Sequence, residues 1–136
     1  MSKTSDKYIF DTCIFIDFWR GLINAKDILL KSKRESWIRY ISAYSIAELW
    51  VGVGKSKIPN TESEHENMIS DFFKVDLNEK LAKIAGHLKA KYQIGLPDCI
   101  ILATAKYYRF VLVTSDKDHH NAALSEGLQS VFIEKV

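Results

Sequence analysis

Four carboxylates stand where they could do chemistry, and a fifth is close behind. Asp11 ends the short apolar run Tyr8-Ile9-Phe10, and Asp116 follows a second run, Phe110-Val111-Leu112-Val113, with Asp118 two residues on. Glu48 lies in Ser45-Ile46-Ala47-Glu48-Leu49-Trp50-Val51-Gly52, where Ser45 and Gly52 share its helix face and leave room around the carboxylate. Asp98 opens the almost wholly apolar stretch Cys99–Ala105. Taken singly, each has an ordinary explanation: a turn or helix cap for Asp11 and Asp116, a helix N-terminus for Asp98, a surface lysine partner for Glu48. Gathered round one crevice they behave differently. Two carboxylates ~4 Å apart repel by about 4 kcal/mol at an effective dielectric near 20. Such a cluster protonates or spreads unless a cation holds it. The ligands are oxygens, and the paired thiolates and histidines of a zinc site are missing, so a hard ion such as Mg²⁺ or Mn²⁺ is the natural occupant. Magnesium keeps several waters, which leaves positions for a phosphate oxygen and an attacking water. That is the arrangement for metal-assisted phosphodiester hydrolysis, with one ion or two.

The elements that must position these acids follow from the hydrophobic pattern. Continuous apolar runs such as Tyr8–Phe10 and Phe110–Val113 suit strands buried on both faces of a parallel sheet. Phe72–Val75, Val131–Ile133 and Ile38–Ser42 are expected as further strands. In Asn78–Gln93, Leu81, Ile84, Ala85, Leu88 and Tyr92 fall at helical spacing, Asn78 can cap the start and Gly95 follows the end. Pro97–Tyr108 is apolar nearly all round, a buried helix beginning at a proline suited to a first turn. Strands alternating with helices give an α/β domain with a mostly parallel sheet covered on both faces. In such sheets the ligand crevice lies beyond the carboxyl ends of the strands, where Asp11 and Asp116 stand.

A chain of 136 residues fits a single domain, 1–136, and 47% apolar against 26% charged residues supplies a full core. The longest uncharged stretches fall far short of the ~20 residues of a membrane span, and the N-terminus MSKTSDKY lacks a signal peptide's apolar region. A cytoplasmic protein is expected, with Cys13 and Cys99 both reduced. The net charge of +2 hides an asymmetry: residues 1–57 hold ten Lys/Arg against six Asp/Glu, whereas 58–136 hold nine against eleven. Lys26, Lys31, Lys33, Arg34 and Arg39 carry most of the excess, either as a solvated helix face or as a contact for a polyanion.

Four segments in order resemble the motifs of PIN-domain ribonucleases: Asp11–Asp17, Ser45–Gly52, Pro97–Ala105 and Leu112–Asp118. The size is similar to that of the VapC-type toxins of prokaryotic toxin–antitoxin pairs, and the resemblance runs from about Tyr8 to Ile133. It implies a three-layer α/β/α fold with a five-stranded sheet and a Mg²⁺-dependent endoribonuclease, with Mn²⁺ as a substitute ion, whose products carry a 3′-hydroxyl and a 5′-phosphate. By position, Asp11, Glu48, Asp98 and Asp116 match the family's catalytic, metal-binding acids, and Asp118 could supplement or replace Asp116. Thr12, Thr114 and Ser115 would be hydroxyls that orient carboxylates or metal waters, or else plain turn hydroxyls. The resemblance also implies a homodimer and a small antitoxin partner. Phe15, Phe18, Trp19, Leu22 and Trp50 either line its groove or fill the core, with Trp19 and Trp50 expected to be partly exposed. Arg20 and the Lys31–Arg39 segment would grip RNA phosphates, in binding that weakens steeply with salt.

Two residues depart from the family pattern. Cys13 stands where serine or asparagine is common, and His119 where phenylalanine is common. His119 and His120 stand near the site, where they could touch phosphate, but are expected rather to face solvent at a helix start, and His65 and His87 to lie on polar faces without a role. Each cysteine neighbours a proposed metal-binding aspartate, so the two thiols are candidates for proximity, with a packing role for both. Among rival readings, a phospho-accepting receiver domain wants an acidic pair after the first strand, and Phe10-Asp11-Thr12 supplies one acid. A haloacid-dehalogenase phosphatase needs a second aspartate two residues after the nucleophile, where Cys13 stands. A non-catalytic PIN-like module binding RNA or protein is the remaining alternative.

Overall fold

The computed structural model describes residues 6–136; residues 1–5, on which the reading of the N-terminus partly rests, lie outside the described residues. Strands β1 (Lys7–Phe10), β2 (Ile38–Ser42), β3 (Phe73–Val75), β4 (Val111–Thr114) and β5 (Ser130–Phe132) form one sheet in the order β3-β2-β1-β4-β5. All four pairings are parallel. Each strand coincides with an expected run to within one residue at either end. The helices among the described residues are α1 (Thr12–Trp19), α2 (Ile23–Arg34), α3 (Ala43–Lys55), α4 (Thr61–Ser70), α5 (Glu79–Lys91), α6 (Leu96–Tyr108) and α7 (Lys117–Ser125). None is long and apolar enough to cross a membrane.

Alternation along the strands builds two cores. Ile9 and Leu112 point into a layer with Ala85, Leu88, Ile101 and Ala122 of α5, α6 and α7. Phe10, Ile41 and Val113 point into the other, with Ile14, Phe15, Ile28, Leu49 and Ile69 of α1 to α4. On β1 and β4 residues of both parities are therefore apolar, which is why these two read as unbroken apolar runs. Cys99 packs in the first core and Cys13 against the second, so each thiol has the packing role expected of it, in a different core. Arg39 also departs from expectation. It is buried on β2, its guanidinium 4.5 Å from the centre of the Phe72 ring and 3.7 Å from Asp71, and is withdrawn from any solvent-facing basic segment.

Asn78 caps α5 as expected, its Oδ1 accepting from the Leu81 N–H at 2.9 Å. The helix stops earlier than its apolar spacing suggests, because Tyr92 is already extended, and Gly95 stands at the start of α6 instead. Tyr92 leaves the helix to donate its hydroxyl to Glu126 beyond the end of α7. Lys106 of α6 and Lys91 of α5 reach the same carboxylate, at 2.6 and 2.8 Å. These three donors hold the Glu126 pKa down to about 2, so its contribution to stability is present above pH 4.5 and is lost as pH falls toward 2. Because both lysine ends are about half exposed or more, solvent screening keeps that contribution modest. Glu126→Gln is expected to cost about 1 kcal/mol in urea unfolding at pH 7. The gap from wild type should narrow between pH 4.5 and 2; a gap independent of pH would contradict the role given to the three donors.

Candidate metal centre

β1 and β4 are neighbours in the sheet, and the strands that follow them lie on opposite sides, β2 beyond β1 and β5 beyond β4. A crevice opens beyond their carboxyl ends at such a reversal. Asp11 leaves β1 there, its N–H still bonded to the Val113 carbonyl at 2.9 Å. It occupies the cap position of α1, yet its side chain makes no cap bond. Its Oδ2 instead accepts from Thr114 Oγ1 and from His119 Nδ1, both at 2.7 Å. Burial opposes the charge on this carboxylate, but His119, Thr114 and Cys13 outweigh it and hold its pKa below the usual range.

Asp98 sits in the first turn of α6, which Gly95 and Pro97 begin at the rim of the crevice. Its Oδ1 is 3.9 Å from His119 Nδ1. Ligand atoms of Asp11, Asp98 and His119 all lie within 4.8 Å of one another. Burial first, then the charge of Asp11, push the Asp98 pKa up to about 6; Asp116 and Glu48 add to this, and His119 works against it. A carboxylate held uphill by surrounding negative charge is what an oxygen-lined cation site looks like before its ion is counted, and the donor set fits a hard or borderline divalent cation.

The other two expected acids border this triangle without entering it. Asp116 caps α7, its Oδ1 accepting from the Asp118 and His119 N–H groups at 2.9 and 3.3 Å, so the cap does not use its second oxygen. Glu48 projects from α3, its Oε1 accepting from Thr12 Oγ1 at 2.8 Å. Thr12 Oγ1 is also 2.7 Å from Ser45 Oγ, so Thr12 and the buried Ser45 steady Glu48, and Thr114 steadies Asp11. Asp118 is exposed in the first turn of α7. Cys13 compensates in part for the missing family hydroxyl: its sulfur accepts from the Ser115 N–H at 3.3 Å and touches Thr114 Oγ1 at 3.5 Å. Burial and the charge of Asp11 push this thiol up to about 11, so it stays protonated.

Three residues take places that the sequence reading assigned otherwise. His119 does not face solvent; it is fully buried between the acids, and only His120, bonded to Ser130 Oγ at 2.7 Å, is partly open. Burial lowers the His119 pKa, but the bond and charge of Asp11, with Asp98 and Asp116, raise it overall. Ser115 serves none of the four acids. It donates to Asp17 at 2.6 Å, and Lys135 Nζ reaches both Asp17 oxygens and Ser115 Oγ at 3.0 Å. Asp17 was overlooked, although a single acid within the apolar run Ile14–Trp19 was its signal. His65 is buried too, stacked 4.4 Å from Trp19 and edge-on to Trp50. Phe15 is core, Phe18, Leu22 and Trp50 are half-buried, and Trp19 is 38% exposed.

A protein-family model of the PIN domain matches residues 8–124. No curated protein matches the chain in sequence. Among solved structures, a chain of a toxin–antitoxin complex from Klebsiella pneumoniae is 31% identical, with a TM-score of 0.70 over 83% of this chain and 89% of its own. A VapBC chain from Rickettsia felis, in a complex bound to a promoter DNA fragment, is 21% identical, with a TM-score of 0.78 over 94% and 99%. DNA-bound VapBC from Salmonella typhimurium gives 22% and 0.75 over 93% and 97%. These last two share the fold. With the family match covering most of the chain and the acids gathered at the sheet's crevice, the protein belongs to the PIN-domain family.

Proposed function

We propose that this protein is a metal-dependent endoribonuclease and the toxin of a toxin–antitoxin pair, working in the cytoplasm as a homodimer. The observation that carries the reading is the convergence of Asp11 and Asp98, far apart in the sequence, on one crevice where their charges oppose each other. Asp11 and Asp98 would hold Mg²⁺, or Mn²⁺ in its place, with Asp116 beside them and Glu48 completing the set directly or through water. A bound ion of this kind supplies a water of lowered pKa and offsets charge growing on the phosphoryl oxygens. The chain's own part is to fix the acids: Thr114 holds Asp11, Thr12 and Ser45 hold Glu48, and the α7 cap holds Asp116. Arg20 and Lys31, both exposed, remain available to RNA phosphates.

The partner reading draws support from the far side of α1. Phe18, Leu30 and Met68 line a cleft between α1, α2 and α4, and the partly exposed Trp19 lies on the same helix as Phe18. An antitoxin tail along this cleft would bury that apolar surface, and the toxin–antitoxin complexes among the structural relatives support a protein partner of this kind.

The test is incubation of the purified protein with mixed cellular RNA in millimolar Mg²⁺ or in chelator. Cleavage is expected with the ion and not with chelator, with 5′-phosphate and 3′-hydroxyl ends on the products. Undiminished cutting in chelator would contradict the metal reading. No cutting of any RNA, with a partner still bound, would favour a non-catalytic binding module.

A further inference from the structure

We propose that His119 is a positioning residue of the metal centre: together with Thr114 it occupies one oxygen of Asp11, so that Asp11 offers a cation its other oxygen alone. The inference rests on the reading of the acidic cluster as a metal site. The bonds from Thr114 Oγ1 and His119 Nδ1 to the Asp11 carboxylate both fall on Oδ2, each at 2.7 Å. With two donors on one oxygen the carboxylate cannot swing to chelate through both, and Oδ1 is the oxygen left for a ligand. A small octahedral ion that keeps most of its waters takes carboxylates in this one-oxygen manner.

His119 is placed for this by the backbone. Its N–H bonds to Asp116 Oδ1 at 3.3 Å as part of the α7 cap, while its ring reaches Asp11. One residue therefore links two of the proposed acids, from β1 and from the end of β4, and its complete burial allows it no other rotamer in solvent. The geometry also argues against His119 as a ligand. Nδ1 is the nitrogen that faces Asp11 and Asp98, and a nitrogen that gives its proton to Oδ2 has no lone pair for an ion. This holds for the neutral Nδ1–H tautomer, the one that suits an acceptor carboxylate, and for the charged ring alike. Nε2 is sealed from solvent with no hydrogen-bond partner, so a hydrated ion has no way to it. Carboxylates that bind metals are commonly held by such outer hydrogen bonds, and loss of one costs about 10–100-fold in metal affinity.

The experiment measures Mg²⁺ and Mn²⁺ binding to the purified full chain by titration calorimetry, for wild type, His119→Phe and His119→Asn. Asparagine can place an amide N–H near the position of Nδ1, whereas phenylalanine fills the space and donates nothing. His119→Phe is expected to weaken binding of both ions by about tenfold or more, and His119→Asn to recover most of the loss. Pulsed electron paramagnetic resonance of the Mn²⁺-loaded wild type is expected to lack the nitrogen coupling of a directly bound imidazole, a readout that needs no variant to fold. The proposal is overturned if His119→Phe, with an unchanged melting temperature, binds within twofold of wild type. A clear imidazole coupling overturns it too, because His119 would then be a ligand. If wild type binds neither ion, the metal reading itself fails and this inference falls with it, an outcome distinct from the other two.

Discussion

Asp11→Asn is expected to abolish RNA cleavage, by at least about 10²-fold in rate, while the protein stays folded. Asparagine keeps the shape of the side chain, and its amide oxygen can take over the place of Oδ2 beneath Thr114 and His119. The amide nitrogen then falls where Oδ1 was, presenting a donor to the space a cation would fill. The negative charge that balances the ion is gone as well. Loss of the charge-assisted bond to His119 costs about 1–2 kcal/mol of stability, too little to unfold a domain of ordinary stability. Rates on a fluorescent RNA, with circular-dichroism melts of both proteins, make the comparison. Full activity in the variant would sink the assignment of Asp11.

The outcome for Asp11 depends on residues that were not all visible in the sequence. β1 and β4 were legible because strands buried on both faces must be apolar at every position, and Ile9, Phe10, Leu112 and Val113 are. Asp11 and Asp116 were legible for the complementary reason: an acid that closes such a run has to stand where the chain leaves the sheet. Asp98 stood out against the apolar helix it opens. His119 could not be read in this way. Its neighbours Lys117, Asp118, His120 and Asn121 make the local pattern that of a solvated helix start. Its partner Asp11, 108 positions earlier, approaches only when β4 pairs with β1. Arg39 and His65 misled for the same reason. His65 sits between Glu64 and Glu66 and Arg39 closes a basic stretch that begins at Lys31, yet each lies against an aromatic ring distant in sequence, Trp19 for His65 and Phe72 for Arg39. Lys135 and Asp17, 118 positions apart, meet only when the segment after β5 lies beside α1. Local pattern therefore located the acids and the hydroxyls Thr12 and Thr114 that orient two of them, while His119 and the Asp17–Lys135 pair came from long-range packing.

Asp98→Asn should make the metal-free protein more stable at pH 7.5 and should also remove most of its stabilisation by Mg²⁺. In the folded chain Asp98 gives up its proton near pH 6, against 3.8 for an ordinary aspartate, because of burial and the charges of Asp11, Asp116 and Glu48. A raised folded-state value means that the native protein binds the extra proton. The advantage is complete below pH 3.8 and is lost as pH rises through about 6, above which the ionised group is a standing penalty. The side chain is 30% exposed, so screening trims that penalty to about 1–2 kcal/mol, or roughly 3–8 °C in melting temperature. Asparagine cannot ionise, so the variant should melt higher than wild type in chelator at pH 7.5 and similarly at pH 4. Saturating Mg²⁺ should then reverse the order, since an ion at a hundred times its dissociation constant adds about 2.7 kcal/mol to the protein that binds it. Thermal melts in chelator and in Mg²⁺, at both pH values, read all of these terms. A variant that melts lower in chelator at pH 7.5 would show that Asp98 is not held against repulsion, and equal Mg²⁺ shifts in the two proteins would place the ion elsewhere. The reversal itself is what a functional site predicts: the charge that destabilises the empty protein is the charge that binds the ion.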